Sequence, residues 1–154
     1  MLINIVLFLT LIAYSVIVSQ SFMYILSLRD TQLRMEARGY IQFRHLIDAN
    51  MQAKFRYAVY GALLASLILM ALAVADGSGF FIGCAAIAFV ALVLDTVITV
   101  KGNLPINKIM NGWTINEYPA NWSDMRGRWL HYFQLRQILN ITGFIALVAG
   151  TVFR

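Results

Sequence analysis

The chain has 154 residues, of which 60% are hydrophobic and 12% are charged, and its mean hydropathy is +0.72. This composition excludes an ordinary soluble domain and indicates a small integral membrane protein whose main partner is the lipid bilayer. The net charge of +5 does not predict a nucleic-acid partner, because basic residues beside apolar spans report membrane topology instead.

Four apolar segments are long enough to cross about 30 Å of hydrocarbon at about 1.5 Å per residue. They cover residues 2–28, 57–75, 80–100 and 129–153. A polar turn from Asp76 to Gly79 separates the second span from the third. We therefore predict an all-α fold, in which residues 1–154 form a single-domain membrane four-helix bundle.

The two long connections between spans carry nearly all the basic residues. The first holds Arg29, Arg34, Arg38, Arg44, Lys54 and Arg56, and the third holds Lys101, Lys108, Arg126 and Arg128. The turn at Asp76 has none, and the termini contribute only Arg154. The positive-inside rule predicts that both long connections are cytoplasmic and both termini outside, with a bacterial inner membrane as the expected location.

The first connection has an amphipathic helical pattern. Its apolar residues recur at steps of three and four, and they are Tyr40, Phe43, Ile47, Met51 and Phe55. The pattern predicts a helix that follows a break at Gly39 and runs directly into the second span. Such a helix is either a cytoplasmic lid or membrane-surface helix, or a solvated extension of the span, since all of these need the same pattern.

Small residues recur at four-residue spacing in two spans. The pairs are Ala58 and Ala62, Gly61 and Ala65, and Ala146 and Gly150. Such pairs let helix backbones approach closely in lipid. They predict either contacts inside the bundle or the face of a homo-oligomer.

Two ionisable residues, Asp95 and Arg136, lie within the third and fourth spans at similar depth. A charge in hydrocarbon is costly unless it is paired or hydrated, so we expect these two to pair. Gln20 and Tyr60 reach a comparable depth in the first two spans. This polar layer is either a structural ion pair that fixes helix register or the polar floor of a ligand cavity.

Span four carries a polar and aromatic stripe on one helical face. The stripe contains Trp129, Tyr132, Phe133, Arg136, Asn140 and Gly143. Its composition suits a flat aromatic or quinone-like ligand, although an interfacial aromatic belt would also explain Trp129 and Tyr132. His131 lies on a different face. The spacing of His45 and His131 matches no metal motif, so neither a metal nor a cofactor is predicted.

The cap, as we call the third connection (residues 101–128), concentrates breaks in regular structure. Gly102 and Pro105 are expected to end span three, and Asn107 is expected to begin a short helix that reaches Trp113. Pro119 predicts a further break before a second helical run leads into span four.

A motif in the cap resembles a known family. The sequence Asn-Leu-Pro-Ile-Asn at 103–107, followed by Trp122, Arg126, Arg128, Trp129 and Arg136, resembles the anthrone-oxygenase-like family of small four-span membrane proteins, most of which are catalogued as a domain of unknown function. The resemblance implies a cofactor-independent oxygenase that acts on an anthrone-like or phenolic substrate. The alternative function is a non-enzymatic membrane protein that binds lipid or a small apolar ligand, or a subunit of a larger membrane assembly.

Metal-free oxygenation of this kind needs a base and a group that stabilises an anion. We predict Arg136 as the anion stabiliser and either His131 or Asp95 as the base. An ion-paired Asp95 would be a poor base, which favours His131, whereas the angular distance of His131 from Arg136 favours Asp95. The predicted ligand-binding residues are Trp113, Trp122 and Trp129 as stacking walls, together with Asn103, Asn107, Tyr132, Asn140, Gln20 and Tyr60.

Overall fold

A computed structural model of the chain describes residues 1–153, and of Gln52 and Ala53 it describes the backbone alone. Arg154, which enters the predicted topology, lies outside the described residues.

Residues 1–153 fold into helices and connecting turns, without a β-strand. The helices are α1 (Leu2–Met23), α2 (Arg29–Arg34), α3 (Ala37–Asp76), α4 (Gly79–Ile98), α5 (Leu104–Met110) and α6 (Trp122–Val152). One π-helical turn, Tyr24–Leu28, joins α1 to α2, and another, Thr99–Asn103, joins α4 to α5. The predicted all-α fold is confirmed.

Four helical segments are long and apolar enough to cross a membrane: Leu2–Arg34, Lys54–Asp76, Gly79–Met110 and Trp122–Val152. Helices α1 and α4 each pack against both α3 and α6, which closes a four-helix bundle. Large apolar side chains also cover the outer surface, for example Phe8, Leu64 and Ile145. An apolar exterior is what hydrocarbon requires, and the chain is thus an integral membrane four-helix bundle.

Close packing of α6 depends on two glycines. A Cβ atom at Gly143 would overlap the hydroxyl of Tyr14, and one at Gly150 would lie 2.8 Å from the Cβ atom of Cys84. The Tyr14 hydroxyl donates a 3.0 Å hydrogen bond to the Ala88 carbonyl oxygen of α4. Gly150 therefore mediates a contact inside the bundle, as one reading of the small-residue pairs predicted. Gly61, in contrast, is exposed on α3.

The predicted end of span three at Gly102 and Pro105 is wrong, because the helix continues through the π-helical turn into α5. The Leu104 N–H donates to the Thr99 carbonyl oxygen five residues earlier, which interrupts the ordinary pattern just before Pro105. Pro105 then lies in the first turn of α5, where its missing N–H costs little. The short helix consequently spans Leu104–Met110 rather than starting at Asn107.

The amphipathic helix does run into the second span, as predicted, within the 40 residues of α3. It begins at Ala37, because the extended backbone that separates it from α2 lies at Met35 and Glu36 and not at Gly39. The residues 37–53, here called the α3 extension, pack through Tyr40 and Ile41 against the cap.

Replacement of Gly143 by Ala tests the packing of α6. The added methyl group would force Tyr14 aside, so we expect Gly143→Ala to lower stability by about 1–3 kcal/mol, which would appear as a lower midpoint of thermal unfolding in detergent. Gly83→Ala is the matched control, because a Cβ there meets nothing within 4 Å. Equal midpoints for the two variants would contradict this packing.

Candidate functional site

A cavity of about 830 Å³ lies between the spans at the cap end of the bundle. All four spans contribute to its wall, which is mainly apolar and includes Met23, Phe55, Val59 and Phe133. Its volume is in the range of small-molecule binding sites. The cavity also reaches the outer surface between α1 and α3, where Val16, Met23 and Tyr60 both line it and are at least half exposed.

The predicted ion pair forms at the wall of this cavity. The Arg136 Nε–H donates to Asp95 Oδ1 at 2.8 Å, and both side chains are buried. The Asn140 amide donates to the same carboxylate oxygen at 3.2 Å, and Arg136 Nη1 donates to Asn103 Oδ1 at 3.5 Å. These contacts offset the cost of burying both charges at membrane depth.

A second polar network extends from the first toward the α3 extension. Asn103 Nδ2 donates to the Trp129 carbonyl oxygen at 3.0 Å, and the Trp129 indole N–H donates to Asn107 Oδ1 at 2.5 Å. Asn107 Oδ1 also accepts from Arg44 Nη2 at 2.6 Å, and Arg44 pairs with Asp48 at 3.2 Å. Trp129 therefore connects the ion pair inside the bundle to a second one in the α3 extension.

The rings of Trp129 and Phe133 lie along the cavity wall between the guanidinium groups of Arg44 and Arg136. The Arg44 guanidinium lies 4.9 Å from the Trp129 ring centroid, and the Trp129 and Phe133 rings stack at 4.7 Å. The Arg136 guanidinium lies 5.3 Å from the Phe133 centroid. Trp129, Phe133 and Arg136 are spaced at i, i+4 and i+7, so one face of α6 supplies most of this wall.

Arg126 fastens the α3 extension to α6. Its Nη1 atom donates to the carbonyl oxygens of Gln32 at 3.0 Å and Met35 at 2.8 Å, at the end of α2. Its guanidinium also lies over the rings of Trp122, at 4.5 Å, and Tyr40, at 5.6 Å. Arg126 thus fixes the position of the polypeptide that forms the cap end of the cavity.

Six of the residues predicted for the site line the cavity, and two more form hydrogen bonds to the ion pair. The six are Asp95, Arg136, Asn107, Trp129, Gln20 and Tyr60. Asn103 and Asn140 are buried and hydrogen-bond to the ion pair, so they position its charged groups.

The remaining predicted residues lie away from the cavity wall. Trp113 and Trp122 pack in the cap with Tyr40, so of the three proposed stacking walls Trp129 alone lines the cavity. The ring of Tyr132 packs closely against the backbone of Gly102, where a Cβ atom would lie 2.7 Å from Tyr132 Cγ. His131 is exposed and is not part of the wall.

Arg44, Tyr40 and Gln32 were not predicted as site residues, although all three are buried and line the cavity. A signal was present for Arg44. At about 100° per residue it lies between Met51 and Phe55 on the apolar face of the α3 extension, where a solvated arginine is not expected. Gln32 had no such signal, because its position depends on the turn at Met35 and Glu36.

Tyr40 has an environment that opposes its ionisation. Burial raises the pKa of its hydroxyl, and the neighbouring Arg44 guanidinium partly offsets this rise. Tyr40 therefore stays protonated at neutral pH and can donate a hydrogen bond.

The site offers a ligand an apolar volume, an aromatic wall and two separate groups of hydrogen-bond donors. Guanidinium N–H groups bind carbonyl, phenolate or carboxylate oxygens strongly, particularly where water is scarce. Asp95 and Asp48 are the carboxylates that line the cavity, and they are its candidates for accepting a proton. No group of three or more His, Cys, Asp or Glu side chains that could hold a metal ion is found in the described part of the chain.

Comparisons with known proteins return no match, whether with family models, curated proteins or solved structures.

Substitution of Asp95 by Asn tests the buried pair. The variant leaves the Arg136 charge uncompensated at membrane depth, so we expect a loss of about 3–5 kcal/mol in the free energy of unfolding, measured by denaturation in detergent. Asp30→Asn is the control, because the Asp30 and Arg29 side chains of that pair are 71% and 43% exposed and such pairs contribute little. An Asp95→Asn variant as stable as the control would show that the pair does not stabilise the bundle.

Proposed function

We propose that the protein binds a flat apolar ring compound in its cavity, with a phenolate or carbonyl oxygen of the ligand at Arg136, and oxygenates it without a cofactor. The observation that carries the proposal is the placement of the Asp95 and Arg136 pair beside an aromatic wall in a largely apolar cavity. The resemblance of the cap motif to the anthrone-oxygenase-like family supports the same chemistry.

The ion pair can exchange charge with a substrate at little electrostatic cost. When Asp95 accepts a proton from the substrate, the negative charge moves onto the substrate, and Arg136 remains paired with an anion. No net charge is added to a low-dielectric region by this transfer, which avoids the main penalty of forming an anion there. Asp95 is therefore the base in our proposal, because His131 lies exposed outside the cavity wall.

The reaction converts a ring CH₂ group and O₂ into a ring carbonyl and water. The substrate carbanion gives one electron to O₂, and the resulting radical pair combines to form a carbon-bound peroxide. This group takes up the proton that Asp95 removed, and loss of water then breaks the O–O bond and the second C–H bond. The CH₂ carbon is oxidised and both atoms of O₂ are reduced, so the protein has only to hold the substrate, accept the proton and exclude water.

A second candidate function is the binding of a lipid without chemistry. The opening between α1 and α3 favours it, because Val16, Met23 and Tyr60 connect the cavity to the apolar outer surface. The same opening would admit a ring compound dissolved in the bilayer. The two candidate functions differ in whether the ligand contacts Arg44 and Arg136, the two ion-paired arginines of the cavity. A ring compound with oxygen substituents would contact them, whereas an acyl chain has no polar group to do so.

We also propose that the cavity opens toward the cytoplasmic half of the membrane. Arg44 and Arg126 make hydrogen bonds within the protein. The other basic residues of the two long connections are at least partly exposed at the cap end. Exposed basic residues beside spans favour the cytoplasmic side.

Cysteine labelling tests this orientation, since the single native cysteine, Cys84, is buried. We expect an impermeant maleimide to label Gly79→Cys in intact spheroplasts, and Asn116→Cys only after the membrane is opened. Both positions are exposed, which makes each variant the control for the other. Labelling of Asn116→Cys in intact spheroplasts would reverse the proposed topology.

Oxygen uptake with anthrone as the probe tests the proposed reaction. We expect wild-type protein in detergent to consume O₂ and form anthraquinone. The double variant Asp95→Asn with Arg136→Gln, which removes both charges together, should lose at least about 100-fold of this activity, because proton acceptance and anion stabilisation are both lost. Arg128→Gln is the matched control, since Arg128 is exposed on the same helix, and its activity should be unchanged.

The same assay separates the two predicted bases. His131→Ala should retain activity if Asp95 is the base, whereas loss of activity in this variant alone would assign the role to His131. A wild-type rate no higher than that of the double variant would contradict an oxygenase and favour the binding function.

A further inference from the structure

Three buried polar side chains meet the cavity at the end where α2 turns into α3. They are Gln32, Tyr40 and Arg44, with exposures of 7%, 1% and 5%, and all three line the cavity. Arg44 belongs to the second polar network through Asn107 and Asp48, whereas the side chains of Gln32 and Tyr40 take part in neither network.

Each of the three carries a buried polar atom without a hydrogen-bond partner among the side chains and backbone that the structure describes. The atoms are Gln32 Oε1, Tyr40 Oη and Arg44 Nε. The Arg44 guanidinium lies near enough to the Tyr40 hydroxyl to lower its pKa both through its charge and through a side-chain hydrogen-bonding contact. That contact does not have the distance and angles of a well-formed hydrogen bond, so it leaves Tyr40 Oη and Arg44 Nε unsatisfied. A buried polar atom is costly to leave unsatisfied, so three of them at one wall of a cavity point to a bound polar group.

This group of atoms is separate from the Arg136 end of the cavity. The stacked Trp129 and Phe133 rings lie between the Arg44 and Arg136 guanidinium groups. Trp129 and Arg136 are seven residues apart on α6, which is about 10 Å along the helix axis. A fused ring compound with one hydrogen bond of about 3 Å at each end has a comparable length.

We infer that Gln32, Tyr40 and Arg44 form a second polar subsite, which binds a hydroxyl group on the edge of the ligand opposite to the oxygen at Arg136. The inference rests on the proposed function, which places a ligand oxygen at Arg136. It adds that a ligand hydroxyl group binds at the opposite end of the cavity. The ligand is therefore a ring system that carries oxygens on two opposite edges.

The donors and acceptors of the subsite match a hydroxyl group better than a carbonyl or a carboxylate. The Arg44 Nε–H and the Tyr40 hydroxyl can both donate to the ligand oxygen, and Gln32 Oε1 accepts the ligand's own O–H. A carbonyl or carboxylate oxygen has no proton to donate, so it would leave Gln32 Oε1 unsatisfied.

A pair of ring probes tests the second subsite. We would measure the binding of 1-naphthol, with one hydroxyl, and of 1,5-dihydroxynaphthalene, with hydroxyls on opposite edges, by calorimetry in detergent under argon. We expect wild-type protein to bind the dihydroxy probe at least about tenfold more tightly. Tyr40→Phe and Gln32→Met should each remove most of this preference, while the affinity for 1-naphthol changes less.

Tyr14→Phe is the matched control. Its hydroxyl is also buried but already donates to the Ala88 carbonyl oxygen, and it lies outside the cavity wall. Tyr14→Phe should lower the midpoint of thermal unfolding and leave the probe preference intact. Tyr40→Phe should do the reverse, because a hydroxyl without a protein partner adds little to stability.

Equal binding of the two probes by wild-type protein, or an unchanged preference in both Tyr40→Phe and Gln32→Met, would overturn the second subsite. The proposed function is tested separately by 1-naphthol, whose affinity should fall in the double variant Asp95→Asn with Arg136→Gln. If that affinity is unchanged while the probe preference is present, the Arg136 end is wrongly assigned. If neither probe binds wild-type protein, both proposals are overturned.

Discussion

The structure depends on the buried ion pair of Asp95 and Arg136. Neither charge is tolerable alone at this depth, so each one constrains where the other helix can lie. The 2.8 Å contact fixes α4 against α6, and Asn103 and Asn140 each add one hydrogen bond to the pair. Both residues of the pair also line the cavity. The ion pair that aligns α4 with α6 is therefore also accessible to a ligand.

Trp129 links the Asp95 and Arg136 pair to the cap through hydrogen bonds. Its carbonyl oxygen accepts from Asn103 and its indole N–H donates to Asn107, so the two asparagines of the motif at 103–107 hold opposite sides of one residue. They lie one helical turn apart because α4 continues through a π-helical turn into α5. A helix that ended at Gly102, as the sequence predicted, would not place Asn107 beside Arg44.

Sequence reasoning predicted the features that depend on hydrophobicity and on the cost of buried charge. The four spans, the amphipathic start of α3 and the pairing of Asp95 with Arg136 follow from these rules. It failed where local geometry decides the outcome. Pro105 is normally a helix breaker, and its tolerance here depends on the π-helical turn. Arg44 was counted as a topology signal, although its place on an apolar helical face indicated burial. Gln32 is placed by the α2 to α3 turn, which the sequence pattern does not reveal. The helical spacing did place His131 on a different face of α6 from Arg136, and its exposure agrees with that spacing.

The central claim is that the paired charges and the aromatic wall hold an oxygen-bearing ring compound. Mass spectrometry of small molecules that co-purify with the protein tests it most directly. The account predicts an aromatic compound with oxygen substituents in extracts of the wild-type protein, and its absence from the double variant Asp95→Asn with Arg136→Gln. Phospholipid alone in both extracts, at equal amounts, would contradict the account.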